Sequence, residues 1–184
     1  IINNQNNKNF NIEKEIYNYD IFKNEIDELI KYFFPYKKID NLIKNDFYKI
    51  WQDSFNKFNF EFNSFVHKDF ELINLIYLPN NIKHLKCGII DFQSACRGFA
   101  GWDLFSLLED SRIYYTREYN EKLIKHYYDN TNQSQEFDTF RQQYYFLNSS
   151  RQTRLLGRWV KFSIADGNHN YLKYIESTIK RLNV

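Results

Sequence analysis

Residues 65–108 read FVHKDFELINLIYLPNNIKHLKCGIIDFQSACRGFAGWDLFSLL, a stretch with two short apolar runs separated by turn residues. The runs, at 75–78 and 85–90, have the β-branched and aromatic composition that is typical of strands. Proline and two asparagines at 79–81 supply turn signals between them. The stretch therefore predicts a β-hairpin, around which the rest of the fold is expected to be arranged.

Polar side chains stand at the open end of this hairpin. His67, Asp69 and Asn74 form the pattern H-x-D-x4-N before the first strand, and Asp91 follows the second strand. An antiparallel hairpin returns its second strand to the start of its first, so Asp91 is expected near Asp69 and Asn74. The alternative is a polar loop beside an ordinary hairpin, because a pattern this short also arises by chance.

Three oxygen-bearing side chains at one point suit phosphoryl transfer. In kinases a carboxylate orients the attacking hydroxyl, and an Asn five residues later and a second Asp hold the metal. Mg²⁺ prefers such hard oxygen ligands and usually takes one or two protein side chains together with phosphates and water. In that scheme Asp69 is the base, and Asn74 and Asp91 are the metal ligands.

Two segments carry a resemblance to a known family. VHKDFELINL (66–75) and GIIDFQSACRGFAGWDLFSLLED (88–110) resemble the catalytic loop and the metal-binding segment of the aminoglycoside phosphotransferase (APH) and choline kinase-like superfamily. The Asp-Phe-Gln triplet and the Trp-Asp-Leu ending most resemble the branch that phosphorylates N-acetylmuramate and N-acetylglucosamine at the anomeric position. The likeness is good from about residue 64 to 112 and looser over 12–34 and 150–175.

The resemblance implies an α+β fold, namely the mostly helical C-terminal lobe of a protein-kinase-like protein with a β-hairpin that carries the catalytic and metal-binding loops. It implies Asp69 as catalytic base, Asn74 and Asp91 as ligands of Mg²⁺, and His67 and Asp103 as structural supports of the loop. ATP is then the co-substrate, and the acceptor is a hydroxyl of a small molecule, with an amino sugar as the first choice.

Other functions remain open at this point. They are a kinase for another small alcohol of the aminoglycoside or choline type, a non-catalytic kinase-like binding protein, and an unrelated helical interaction domain. In the resembling family a helix near 12–34 lines the acceptor pocket, so Glu25 and Glu28 are candidates to bind substrate, the alternative being a solvated acidic face. Arg97 is a candidate to reach substrate or phosphate, and a salt bridge within its loop is the alternative.

Apolar spacings of three and four predict the helices. The first, over 12–34, is expected to end at Pro35, and the second, over 40–58, to begin at a capping Asp40 and to bury an aromatic face. A solvated charged face is expected for Arg151, Arg154 and Arg158. The further predicted helices cover 104–129, 135–165 with a break or bend near 148–150, and 170–182, and residues 1–11 are expected to be a loop or frayed end.

Composition narrows the class of protein. The 184 residues are enough for one domain, and the net charge of +2 comes without a basic block, which argues against nucleic-acid binding. The apolar runs are too short to span a membrane, and two cysteines make no disulfide scaffold, so a cytoplasmic location is expected. All five glycines follow residue 87 and the chain has no Met. We therefore expect part of a longer polypeptide, with the N-terminal nucleotide lobe not present in this chain.

Overall fold

The computed structural model describes residues 15–182, so the expectations for residues 1–14 lie outside the described residues. Helices dominate: α1 (Tyr19–Glu28), α2 (Phe34–Lys37), α3 (Lys44–Phe55), α4 (Trp102–Leu108), α5 (Arg117–Asp129), α6 (Phe137–Ala165) and α7 (Ile175–Leu182). The strands are β1 (Ser64–Val66), β2 (Leu75–Tyr77), β3 (Cys87–Ile89) and β4 (Cys96–Gly98). The predicted α+β class, mostly helical with a hairpin that carries the loops, is confirmed.

The chain divides into two compact units. Within the described residues, the first contains 15–17, Glu61–Asp110 and Tyr115–Tyr144, and the second contains Asn18–Phe60, Ser111–Tyr114 and 145–182. Among the helices within 15–182, none combines the length and the apolar character that a membrane crossing requires.

The predicted hairpin is present in the first unit. Strands β2 and β3 pair antiparallel, with Leu75 opposite Ile89 and Tyr77 opposite Cys87. The strands are shorter than predicted because Lys83–Lys86 forms a 3-10 turn. One further backbone bond, from the N–H of Ile90 to the carbonyl oxygen of Asn74 at 3.0 Å, extends the pairing to the end where the polar residues stand.

A second ribbon in the first unit was not predicted. Strands β1 and β4 pair antiparallel, with Val66 opposite Cys96. Residues 15–17 lie along the other edge of β4, where the N–H of Tyr17 donates to the carbonyl oxygen of Arg97 at 2.8 Å. The prediction of helix from residue 12 is therefore wrong for 15–18. Helix α1 begins at Tyr19, where the side chain of Asn18 accepts the N–H of Ile21.

Aromatic side chains form the interior of the first unit. Trp102 and Phe105 on α4 are fully buried, and their rings contact those of Tyr17 and Tyr144, with centroid distances of 4.7 Å for Tyr17–Trp102 and 5.6 Å for Phe105–Tyr144. Burial of rings of this size contributes much of the favourable free energy of folding. Helix α4, packed in this way, presents its first turn to the loop that contains His67 and Lys68.

The helix predicted over 104–129 is in fact two helices. Helix α4 ends at Leu108, and α5 begins after Thr116, whose hydroxyl oxygen accepts the N–H of Tyr119. The buried amide of Asn120 donates to the carbonyl oxygen of Leu108 at 3.2 Å and to Glu109 at 2.9 Å. Asn120 thereby satisfies the end of α4, a tertiary contact that helical periodicity does not reveal.

The second unit packs α1 and the following turns against the C-terminal part of α6 and α7. Its core consists of apolar residues from these helices: Leu29, Ile30, Phe33, Phe34, Leu155, Leu156, Trp159, Val160 and Ile175. Gly157 lies where the helices approach most closely, because a Cβ there would be 2.1 Å from the carbonyl oxygen of Glu28. Helix α6 runs from Phe137 to Ala165, so the helix is not broken near 148–150, where a break or bend was predicted.

Pro35 does not end the first helix, contrary to the prediction. Residues Leu29–Phe33 form a π-helical turn, and the N–H of Phe34 donates to the carbonyl oxygen of Leu29. Pro35 then falls in the first turn of α2, and the helix continues past it to Lys37. The chain leaves the helix at Lys38, which is left-handed with φ 56°.

The helix predicted over 40–58 is shorter and more exposed than expected. The carboxylate of Asp40 accepts the N–H of Leu42 at 2.9 Å, but the α-helix runs only from Lys44 to Phe55. No described residue of α3 is fully buried, and Leu42 and Ile50 are 83% and 64% exposed. The expected buried face is thus wrong for the aliphatic residues, because only the aromatic side of the helix packs, half-buried, against rings such as Phe146.

Candidate active site

Asp103, in the first turn of α4, holds the loop that contains His67, Lys68 and Asp69. Its two carboxylate oxygens accept the N–H of His67 at 3.1 and 2.9 Å, and one of them also accepts the N–H of Lys68 at 3.0 Å. One helical turn further on, the hydroxyl of Ser106 donates to the carbonyl oxygen of Lys68 at 3.4 Å. The backbone of His67 and Lys68 is therefore attached to α4 through two N–H groups and one carbonyl oxygen.

Burial raises the pKa of Asp103 above its ordinary value, and the N–H bonds from His67 and Lys68 and the proximity of His67 oppose this effect. The carboxylate is only 9% exposed, so its charge is stabilised by these backbone donors rather than by water. Ser106 was not singled out from the sequence, although its spacing of three residues from Asp103 places both on one face of α4.

His67 connects the loop to the hairpin. Its ring Nε2 lies 2.9 Å from the carbonyl oxygen of Ile90, the residue before Asp91. A carbonyl only accepts, so Nε2 carries the proton and donates. The other ring nitrogen, Nδ1, is buried without a hydrogen-bond partner among the described residues. The ring is 3% exposed, which is the environment of a structural histidine rather than of a base that receives a proton from substrate.

Asn74 lies between the two predicted acidic residues. Its side-chain Nδ2 donates to the carbonyl oxygen of Asp69 at 2.9 Å, and its own carbonyl oxygen accepts the N–H of Ile90 at 3.0 Å. Because the amide nitrogen is engaged with the loop, the amide oxygen Oδ1 is the atom that remains for another ligand. The structure thus brings Asp69, Asn74 and the backbone next to Asp91 to one end of the hairpin.

Asp91 has an unusual backbone conformation. It is left-handed, with φ 69° and ψ 42°, and it lies immediately before the 3-10 turn Phe92–Ser94. Asp tolerates this region better than most residues, but it is sparsely populated and such residues concentrate at functional sites. The side chain is exposed. The conformation turns the chain sharply at the point where β3 ends.

The donor atoms at this end of the hairpin fit a Mg²⁺ ion that is only partly coordinated by protein. Within residues 15–182, no group of three or more His, Cys, Asp and Glu side chains is placed to hold a metal ion. Carboxylates at Asp69 and Asp91 and the amide oxygen of Asn74 are nevertheless hard oxygen donors. Such a set fits Mg²⁺ that is shared with phosphate oxygens and water, because Mg²⁺ is usually bound by one or two protein groups rather than by a full protein cage.

The two predicted substrate-binding acids of α1 form ion pairs inside the second unit. Glu28 binds Arg158 through two bonds of 3.2 and 3.0 Å, and Glu25 lies 3.5 Å from Arg154. The solvated face expected for the arginines of α6 is wrong, since Arg154 is 6% exposed and Glu25 of α1 provides its counter-charge. A role of Glu25 and Glu28 toward substrate stays a prediction, and it would compete with these pairs.

Arg97 is held by its backbone and presents its side chain to solvent. Its N–H donates to the carbonyl oxygen of Glu15 at 3.1 Å, and its carbonyl accepts from Tyr17. The guanidinium is exposed and has neither a hydrogen bond nor an ion pair with any residue of the described part of the chain. The salt bridge that we considered from the sequence is therefore not seen within residues 15–182.

Comparisons with known proteins find similarity to phosphotransferases. Residues 54–138 match the model of the APH family, described as the phosphotransferase enzyme family. The chain is 29% identical over 111 residues to the N-acetylmuramate/N-acetylglucosamine kinase of Caulobacter vibrioides, a match covering 60% of this chain and 30% of that protein. It is 27% identical over 112 residues to the protein of the same name from Neisseria meningitidis serogroup B, covering 58% and 32% respectively.

The chain thus spans about a third of the length of the curated relatives that it matches. The segment matched by the family model includes the catalytic loop, the hairpin, Arg97 and Asp103. The resemblance inferred from the sequence is confirmed, and the chain is similar to the APH phosphotransferases over the segment that carries its candidate active site.

Proposed function

We propose that the protein is a kinase that transfers the γ-phosphate of ATP to a hydroxyl group of a small molecule. The observation that carries this proposal is the double role of Asn74, whose amide donates to Asp69 and whose carbonyl accepts from the residue before Asp91. This arrangement joins a candidate base to two candidate metal ligands, which is the set that phosphoryl transfer requires.

Each residue has a role in this scheme. The Asp69 carboxylate orients the acceptor hydroxyl and receives its proton as the acceptor oxygen forms a bond to phosphorus and the bond to the nucleotide's leaving oxygen breaks. Asn74 and Asp91 would hold Mg²⁺, which supplies charge neutralisation at the phosphates when bound. His67 and Asp103 touch neither substrate nor metal and support the loop that carries Asp69.

An amino sugar is the acceptor that we propose. Its support is the name of the two similar proteins, both N-acetylmuramate/N-acetylglucosamine kinases. Alcohols of the aminoglycoside or choline type are the alternative, since the family includes diverse phosphotransferases. The exposed Arg97, placed in the same unit as Asp91, suits contact with an anionic group of substrate or nucleotide.

We also propose that a nucleotide-holding lobe lies outside these residues and packs over the hairpin. Two observations support it: the chain covers only about a third of its relatives, and the hairpin region exposes large apolar side chains. These include Ile73 (73% exposed), Tyr77 (70%), Ile82 (70%) and Phe92 (66%). Exposed apolar clusters of this kind usually mark an interaction surface. A cytoplasmic location, where ATP is abundant, is part of the same proposal.

The test is a kinase assay of the full-length protein with ATP and Mg²⁺ against amino sugars, aminoglycosides and choline, with products identified by mass spectrometry. Asp69→Asn is expected to lower kcat by about 10² to 10⁴-fold with little change in nucleotide affinity. Asp138→Asn, an exposed carboxylate in the first turn of α6, is the matched control and should leave kcat unchanged. Normal turnover by Asp69→Asn would contradict the proposal.

A further inference from the structure

Lys68, the residue between His67 and Asp69, directs its ammonium group at two aromatic rings. Its Nζ lies 5.1 Å from the ring centroid of Tyr17 and 5.2 Å from that of Trp102. Both rings are buried, with exposures of 1% and 0%, and are packed against each other. A cation within about 6 Å of a ring face is attracted by the ring, and the attraction is greater where water is excluded.

The backbone of Lys68 is held as firmly as its side chain. Its N–H donates to Asp103, and its carbonyl oxygen accepts the hydroxyl of Ser106. The residue is left-handed, with φ 70°, a conformation that glycine adopts at no steric cost and lysine adopts only against strain. The contacts of the Lys68 side chain offset part of the free-energy cost of this strained backbone.

The first turn of α4 contributes both to the side-chain contacts and to the backbone contacts of Lys68. Trp102, which contacts the ammonium, and Asp103, which binds the backbone, are consecutive residues in the first turn of α4. Tyr17 comes from the segment that pairs with β4. We call Lys68, Tyr17, Trp102, Asp103 and Ser106 the Lys68 clamp. It fixes the peptide plane that leads directly into Asp69.

We propose that Lys68 is a positioning residue, whose clamp sets the direction of the Asp69 carboxylate and whose ammonium does not bind the transferred phosphate. The inference rests on the proposed function, in which Asp69 is the base. Catalytic groups lose much of their effect when displaced by a fraction of an ångström, so a loosened loop lowers turnover without removing any group that touches substrate.

The decisive variant is Lys68→Gly in the full-length protein. Glycine accepts φ 70° without strain, so the melting temperature is expected to stay unchanged or to rise. Loss of the ammonium contacts is expected to lower kcat by about 10 to 100-fold while the KM values for nucleotide and acceptor stay unchanged. Lys68→Arg retains a cation that stacks on aromatic rings and should recover most of the activity.

A matched control is available in the second unit. Lys38 is also left-handed, with φ 56°, at the end of α2. Lys38→Gly is expected to raise the melting temperature through the same relief of strain and to leave kcat unchanged. Comparing the two glycine variants separates the effect of backbone strain from the effect of the clamp.

A readout independent of activity is hydrogen exchange of the peptide that covers residues 64–72. The amides of His67 and Lys68 donate to Asp103, and we expect them to exchange faster in Lys68→Gly than in the parent protein. If Lys68→Gly keeps the kcat and the exchange rates of the parent protein while Asp69→Asn is inactive, the inference about Lys68 is overturned and the proposed function stands. A large rise in nucleotide KM would assign Lys68 to the phosphate and overturn it as well. An active Asp69→Asn would overturn the proposed function and, with it, the role of Lys68 in placing Asp69.

Discussion

The ring of His67 donates from Nε2 to the carbonyl oxygen of Ile90 across 2.9 Å, and thereby ties the loop before Asp69 to the strand that ends at Asp91. The two residues are 23 positions apart in the chain, and the histidine is the buried partner of the bond. One side chain thus couples the position of the candidate base to that of a candidate metal ligand.

Replacing His67 with Ala is expected to act mainly on stability. The change leaves the Ile90 carbonyl without its partner, which costs about 1–3 kcal/mol of unfolding free energy. Urea denaturation followed by circular dichroism measures it. His67→Gln, whose side-chain amide also donates, is the control and should recover part of the loss. An unchanged midpoint together with abolished turnover would instead assign His67 a chemical role.

Asp103 is expected to make stability depend on pH. Burial raises its pKa in the folded state above the ordinary 3.8, so between these two pKa values the folded protein binds more protons than the unfolded one. The contribution of Asp103 to stability is therefore greatest below the unfolded pKa and declines as pH rises through the folded pKa.

The measurement is the free energy of unfolding of the parent protein and of Asp103→Asn at several values between about pH 4 and 7. As pH rises, the parent protein should lose unfolding free energy relative to Asp103→Asn, because the variant cannot acquire the buried charge. Parallel curves for the parent protein and Asp103→Asn would contradict the raised pKa.

Replacing Asp91 with Gly is expected to separate stability from activity. Glycine takes the left-handed conformation of Asp91 freely, so the free energy of unfolding should stay constant or rise. The same change removes a proposed metal ligand, so turnover should fall by at least about 100-fold and need more Mg²⁺. Titration of kcat against Mg²⁺ tests this, and near-normal turnover at low Mg²⁺ would exclude Asp91 as a ligand.

Gly157 is expected to tolerate no side chain. A Cβ at this position would lie 2.1 Å from the carbonyl oxygen of Glu28, and the obstacle is backbone rather than a flexible side chain. Gly157→Ala should therefore cost about 1–3 kcal/mol or more, despite the better helix propensity of alanine. Thermal denaturation checks it, with Ile164→Ala at a 68% exposed position of the same helix as the control. A stabilised Gly157→Ala would show that the helices separate easily.

Residues 1–184 alone are expected to be catalytically inactive. Phosphoryl transfer needs the triphosphate held from two sides, and no glycine precedes Gly88, so these residues offer no Gly-rich loop ahead of the catalytic loop. Assays of this polypeptide and of a version extended at its N terminus, under the same conditions, make the comparison. Robust ATP-dependent phosphorylation by residues 1–184 would point to a nucleotide site within them.

The hairpin that carries the candidate site was predictable from the sequence. The hairpin between 75 and 90 follows from apolar runs with a Pro-Asn-Asn turn, and its antiparallel geometry returns Asp91 toward Asn74. Both signals lie within about 25 residues, where turn type and strand pairing constrain the chain strongly. The resemblance to APH phosphotransferases depended on the same residues, and comparison with known proteins confirmed it.

Tertiary structure alone decided the features that depend on distant partners. The β1–β4 ribbon has strands of three residues, too short for a period to be visible, and it forms only because residues 64–66 meet 96–98. The burial of Arg154 depends on Glu25, 129 positions away, which neutralises its charge. The Lys68 clamp likewise needs rings from Tyr17 and Trp102. Periodicity and turn chemistry depend on residues that are neighbours in the sequence. The burial of a charge, or the stabilisation of a strained backbone, depends on residues that are distant in the sequence and meet only in the folded chain.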